Sequence, residues 1–192
     1  YLYKLAAFVI LANAPATMKA QNKIDLASLS AFQAPSSNWQ LAGDVRADLG
    51  KNNVLILSAG TGVLVTRQEE GKHGQDLLTN TIHGDLDLEL DYMMAKGANS
   101  GIYLQGRYEI QLLDSWSVIN PKAGDNGGIY ERWNEEKKKK KKGYEGHPPR
   151  QNASSAPGLW QHIKISFQAP RFNATGQKTE NARILRVELN GV

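Results

Sequence analysis

Apolar and polar residues alternate with a period of two along much of this chain. Leu86, Leu88, Leu90 and Tyr92 are interleaved with Asp85, Asp87, Glu89 and Asp91. Ile163, Ile165 and Phe167 alternate with His162, Lys164 and Ser166, and Leu185, Val187 and Leu189 alternate with Ile184, Arg186 and Glu188. Successive side chains of a strand point to opposite faces, so each run predicts a half-buried strand. Val54-Leu55-Ile56-Leu57 and Val63-Leu64-Val65 flank Gly60-Thr61-Gly62 and read as a hairpin. Residues from Asp25 to Phe32 give the best short helix or turn. Strands separated by Gly, Asn and Pro predict an all-β, antiparallel sandwich or jelly roll. The longest interruption runs from Ser115 to Pro157. A loop of that length in a compact domain is often functional.

The most informative stretch is Asn99 to Asp114, which reads as two short strands meeting at Gly106. In the second, Tyr108, Ile110 and Leu112 form an apolar face, and Arg107, Glu109 and Gln111 form the other. A cation, a carboxylate and an amide in a row on one sheet face supply fixed donors and acceptors for sugar hydroxyls. A plain solvent face fits the same pattern. Asp114 joins this face only if a bulge shifts the register by one residue.

This stretch, with Gly127-Gly128-Ile129-Tyr130-Glu131-Arg132-Trp133, Gly143-Tyr144-Glu145-Gly146-His147 and Ala156-Pro157-Gly158-Leu159-Trp160-Gln161, resembles the 3-keto-disaccharide hydrolase domain family. The blocks run in order from about Trp39 to Val192. The resemblance implies a concanavalin-like β-sandwich acting on glycosides whose sugar carries a ketone at C3. It also implies an upstream sugar 3-dehydrogenase to make that ketone. Abstraction of the acidified C2 proton by a general base, β-elimination at C1 and hydration complete such a cleavage. On this reading Glu109 is the base or acid/base. Tyr103, Arg107 and Gln111 bind the sugar, Arg132 supplies positive charge to the oxyanion, and Trp133 packs on the ring. The spacing of Glu109, Gln111 and Asp114 is also similar to the Glu-x-Asp-x-x-Glu strand of laminarinase-type glycosidases, with an amide and a shorter acid in place of two carboxylates. A retaining glycosidase using Glu109 and Asp114 is therefore one alternative. A non-catalytic carbohydrate-binding module is the other.

Among the four histidines, His73 and His83 have no ligand-type spacing. His162, on the polar side of its strand, and His147, in a proline-rigid loop, are candidates for a proton shuttle or ligand; a structural histidine is the competing reading of each. The acidic row Asp85 to Asp91 reads as a solvated face, because alternate residues of one strand do not converge on a calcium ion. A divalent metal ion held across strands and loops stays open, with no ligands named. Asp125-Asn126-Gly127-Gly128 is a turn signal. Trp116, Tyr130 and Trp133 are platform candidates, while Trp160 opens an alternating strand and reads as core.

The 192 residues suffice for one domain with a core, and the absence of cysteine excludes disulfides and thiolate chemistry. The net charge is +4, but residues 137 to 142 are six consecutive lysines; removing those six charges leaves −2. The basic balance comes from one segment, which reads as a solvated loop and argues against nucleic-acid binding. Lys4, the apolar run Leu5 to Ala12 and small residues up to Ala20 fit a signal peptide over residues 1–20, with a single domain over 21–192. The apolar run is short of the roughly 20 residues a membrane span needs. A periplasmic or secreted protein is expected. Tyr1 in place of methionine, and an end directly after a strand pattern, suggest a chain cut at both ends and lacking a last strand.

Overall fold

The computed structural model describes residues 22–67, 74–138 and 142–192. The signal-peptide expectation, His73 and part of the lysine run lie outside these residues. Thirteen strands occur among the described residues: β1 (Phe32–Gln33), β2 (Trp39–Ala47), β3 (Leu55–Thr66), β4 (Leu78–Thr79), β5 (Leu86–Met93), β6 (Asn99–Leu104), β7 (Tyr108–Leu113), β8 (Arg132–Trp133), β9 (Gly143–Tyr144), β10 (Trp160–Gln168), β11 (Arg171–Phe172), β12 (Lys178–Glu180) and β13 (Arg183–Leu189). Every described ladder is antiparallel. No helix among the described residues is long and apolar enough to cross a membrane.

The protein is an antiparallel β-sandwich. One layer has the order β13-β10-β5. The other is the β6–β7 hairpin, extended by single bridges from Ile110 to Ile129 and from Ile129 to His147. Tyr92 of β5 and Ile163, Ile165 and Phe167 of β10 bury their side chains with Leu104 of β6 and Ile110 and Leu112 of β7. Ile110 and Ile163 are fully excluded from solvent. The alternation read in β5, β7 and β10 is therefore the alternation between core and outside.

Two strand readings need correction. Gly60-Thr61-Gly62 does not reverse the chain: β3 runs through it as one strand paired with β2, and the register shifts between Ala42 and Asp44. Gly60 (φ 139°) and Gly62 (φ 105°) absorb the irregularity, and Gly60 lies so close to Gly43 that a side chain at either would strike backbone. In β13 the register shifts by one opposite Ser166 and Phe167, leaving Leu185 as the extra residue of a β-bulge. Ile184, read as outward, packs on the core, and Leu185 points out with 62% of its surface exposed. Trp160 is exposed rather than core. Asp25 to Phe32 forms turns leading into β1.

Candidate functional site

The β6–β7 hairpin turns at Gln105 (φ 52°) and Gly106 (φ 63°), closed by the Arg107 amide donating to the Leu104 carbonyl at 3.1 Å. The ladder is regular from Leu104–Tyr108 to Asn99–Leu113. It sets Glu109 opposite Tyr103, both on the face that points away from the core. The Tyr103 hydroxyl donates to Glu109 Oε2 at 2.7 Å. Burial first, then the hydrogen bond to Glu109 and the charge of that carboxylate, push the Tyr103 phenol up to about 12. A raised folded-state value favours the neutral form, so stability linked to it is present below about pH 10 and lost as pH rises through 12. Throughout the neutral range Tyr103 is a fixed donor to Glu109 Oε2 and not to Oε1.

The other carboxylate oxygen lies over Gly101. A Cβ at that position would strike Glu109 Oε1 and sit 2.8 Å from its Cγ. Gly101→Ala should therefore displace the carboxylate while leaving the core intact. The expected result is a loss of activity of about tenfold or more, since misplacement by an ångström is costly to catalysis. Thermal denaturation checks that the midpoint moves by only a few degrees.

Residues 127 to 130 lace onto the free edge of β7. The Gly127 amide donates to the Gln111 carbonyl at 2.8 Å, the Gln111 amide to Gly128 at 2.9 Å, and the Tyr130 amide to Glu109 at 2.9 Å. Buried Asn126 anchors this segment. Its Oδ1 accepts from Tyr92 at 2.9 Å, and its Nδ2 donates to Ser154 at 3.1 Å and Gln161 at 3.2 Å. The chain then forms the small β8–β9 hairpin. Arg132 there pairs with Glu145 at 3.0 Å and lies 5.1 Å from the centre of the Tyr144 ring. Glu145 raises the Arg132 value above its ordinary one, so this cation is permanent.

Together these elements form an open cavity of about 540 Å³ lined by Tyr103, Arg107, Glu109, Tyr130, Arg132 and Trp133, with Glu131 and Tyr144 completing the wall. The volume is that of an ordinary small-ligand site. One oriented carboxylate shares the cavity with two guanidinium groups and three further aromatic rings. That set can remove a proton, hold a developing oxyanion and pack against the C–H face of a sugar.

A family model described as the 3-keto-alpha-glucoside-1,2-lyase-like domain matches residues 25–192. The chain belongs to this family. The 3-keto-alpha-glucoside-1,2-lyase-like domain thus takes in the whole sandwich and the cavity. Among solved structures, a "putative glycosyl hydrolase" from Parabacteroides distasonis ATCC 8503 is similar, at 28% identity and a TM-score of 0.46. The alignment covers 60% of this chain and 46% of that one, so the chain spans less than half of that protein. A search of curated proteins finds no match.

Of the residues singled out in the sequence, this lyase-like domain brings Tyr103, Arg107, Glu109, Arg132 and Trp133 to one cavity. Four others lie elsewhere. Gln111 shares the face of Glu109 but is only 4% exposed and donates its Nε2 to Asn99 Oδ1 at 2.7 Å. It stiffens the floor of the site. Asp114 does not join the face, because the ladder carries no bulge. Its Oδ2 accepts the Gly97 amide at 2.8 Å and its Oδ1 the Trp116 amide at 3.3 Å, bracing a turn. His162 lies on the outward face of the opposite layer. Its Nδ1 meets Asp91 at 2.7 Å and its Nε2 meets Glu89 at 3.0 Å, so the sandwich core separates it from Glu109. His147 reaches a neighbouring cavity and not that of Glu109.

Sequence reasoning missed Glu131, a second carboxylate in the cavity, and the anchoring role of Asn126. Glu131 stood beside Arg132 in a block already singled out. Nothing in the sequence tells the paired Asn126 from a solvated turn residue. Among the described residues no three His, Asp or Glu side chains gather into a group able to hold a metal ion.

Proposed function

We propose that this protein cleaves the glycosidic bond of 3-keto-glycosides by elimination and hydration. Family membership supports a carbohydrate-active role. The observation that carries the finer reading is the Tyr103–Glu109 pair, an oriented base in a cavity with two guanidinium groups. Glu109 takes the C2 proton, which the C3 ketone acidifies. The C–H electrons pass into a C2=C3 enolate with its negative charge on the C3 oxygen, then return to form the C1=C2 bond as the C1–O bond breaks and its electron pair leaves with the departing group. Arg107 or Arg132 meets the charge that develops on the C3 oxygen. Water then adds at C1, and a solvent proton returns to C2. The ketone itself implies a sugar 3-dehydrogenase acting beforehand. We place the protein in the periplasm or outside the cell, as a single domain after a leader.

The test is incubation with 3-keto-trehalose and with trehalose in deuterated water, with and without a chelator. Cleavage of the keto sugar alone, with deuterium at C2 of the product, is the expected result. Cleavage without exchange would overturn the elimination. A conventional retaining glycosidase would instead cleave trehalose and trap a covalent intermediate, drawing its second carboxylate from Glu131. Binding without turnover would leave a carbohydrate-binding module.

A further inference from the structure

A second cavity of about 630 Å³ adjoins the first and shares the Tyr130 and Arg132 wall with it. Its character is different. Tyr108, Ile129, Phe167, Ala182, Ile184 and Leu185 line most of it. Four charged or polar side chains complete the lining, and two of these, Arg132 and Glu145, are already paired at 3.0 Å. His147 and Arg183 are the other two.

The β-bulge in β13 explains part of this surface. In a regular strand Ile184 and Leu185 would point to opposite faces. With the extra residue opposite Ser166 and Phe167, Ile184 packs on the core and Leu185 stays largely exposed despite being apolar, and both line this cavity. Bulges commonly re-aim side chains beside active sites.

We propose that this second cavity receives the leaving group and favours an aromatic one over a second sugar, so that aryl 3-keto-glycosides are better substrates than 3-keto-disaccharides. This rests on the elimination reading above. In that reaction the bond that breaks is at C1, next to the carbon that Glu109 deprotonates, so the departing group must sit just beyond the sugar cavity. A second sugar would bring several hydroxyls against apolar walls, and each unpaired one is costly. A phenol brings one oxygen and a flat ring. The ring fits walls of Tyr108, Ile184 and Leu185. The oxygen finds a donor in His147 or Arg183 and leaves with the electron pair of the C1–O bond, then takes a proton from solvent or from that donor.

Two measurements test this independently of turnover. Calorimetry with plain 4-nitrophenyl glucoside and methyl glucoside, neither oxidised, should show the aryl glycoside binding at least about tenfold tighter, as burial of a ring predicts. Leu185→Glu, at an exposed position, should bring the two affinities together while near-ultraviolet circular dichroism stays native. Equal affinities in the native protein, or a preference that survives Leu185→Glu, would overturn the subsite. Turnover of the two 3-keto glycosides separates the readings. Cleavage of both at equal kcat/KM overturns the aryl preference and leaves the elimination standing. Cleavage of neither, with the aryl binding preference intact, overturns the elimination and leaves the aryl site.

Discussion

Glu109→Gln should lower kcat on a 3-keto-glycoside by about a thousandfold, within the range a positioned general base contributes. The amide has nearly the shape of the carboxylate, and its oxygen can still accept the Tyr103 hydroxyl. The fold and the cavity should therefore persist, and KM should change by less than about threefold. Deuterium uptake at C2 should fall with kcat, because both depend on the same proton transfer. Steady-state kinetics beside the exchange measurement checks this. Activity within threefold of the native protein would move the base to another group, with Glu131 the next carboxylate in the cavity.

Asn126→Ala should destabilise the protein by about 3 kcal/mol, from about 1–3 kcal/mol for each buried polar group left unpaired. Asn126 is 1% exposed, and its side chain ties β5 and β10 to the segment that follows it onto the edge of β7. Removing it strips the acceptor from the buried Tyr92 hydroxyl and a donor from Gln161. Gln161 keeps the Ser155 amide, so Tyr92 bears most of the loss. Burial, partly offset by the bond to Asn126, holds the Tyr92 phenol up at about 12, so it stays a protonated donor in need of an acceptor. For a chain of this size the melting midpoint should fall by roughly 10 °C. Activity at low temperature should fall as well, because Gly127 and Gly128 are tied to the strand that carries Glu109. Denaturation and kcat/KM measured on the same preparation check both effects. A variant that melts with the native protein would show that solvent replaces the missing contacts.

The fold was legible where one face of a strand is buried and the other is wet. Leu86 to Tyr92, Tyr108 to Leu112 and Ile163 to Phe167 announce themselves because burial imposes the period of two. It was illegible where the backbone departs from that period. Gly60 and Gly62 serve a ladder irregularity as readily as a turn, and an extra residue at Leu185 reverses the reading of its neighbours. The site was legible in its residue types. Arg107, Glu109, Arg132 and Trp133 meet although 25 positions separate the outermost two, since the edge of β7 captures residues 127 to 130. The pairing of Tyr103 with Glu109 follows from the register, which the hairpin turn sets. Asp114 needs a bulge that β7 lacks, and the polar face of His162 belongs to the opposite layer; alternation within one strand carries no information about which side of a sandwich that strand occupies.

The β8–β9 hairpin has one further consequence. Its ends are clasped by the Trp133–Gly143 and Arg132–Tyr144 pairs and by the Asn134 amide on the Lys142 carbonyl at 2.9 Å. Glu109, by contrast, sits on a hairpin whose other face is core. An insertion or deletion between Asn134 and Lys142 thus acts on the hairpin whose Arg132, Trp133 and Tyr144 line the cavity and leaves the Tyr103–Glu109 pair in place. Descendants of such a gene can explore new substrates by lengthening one hairpin, with no need to rebuild the reaction each time.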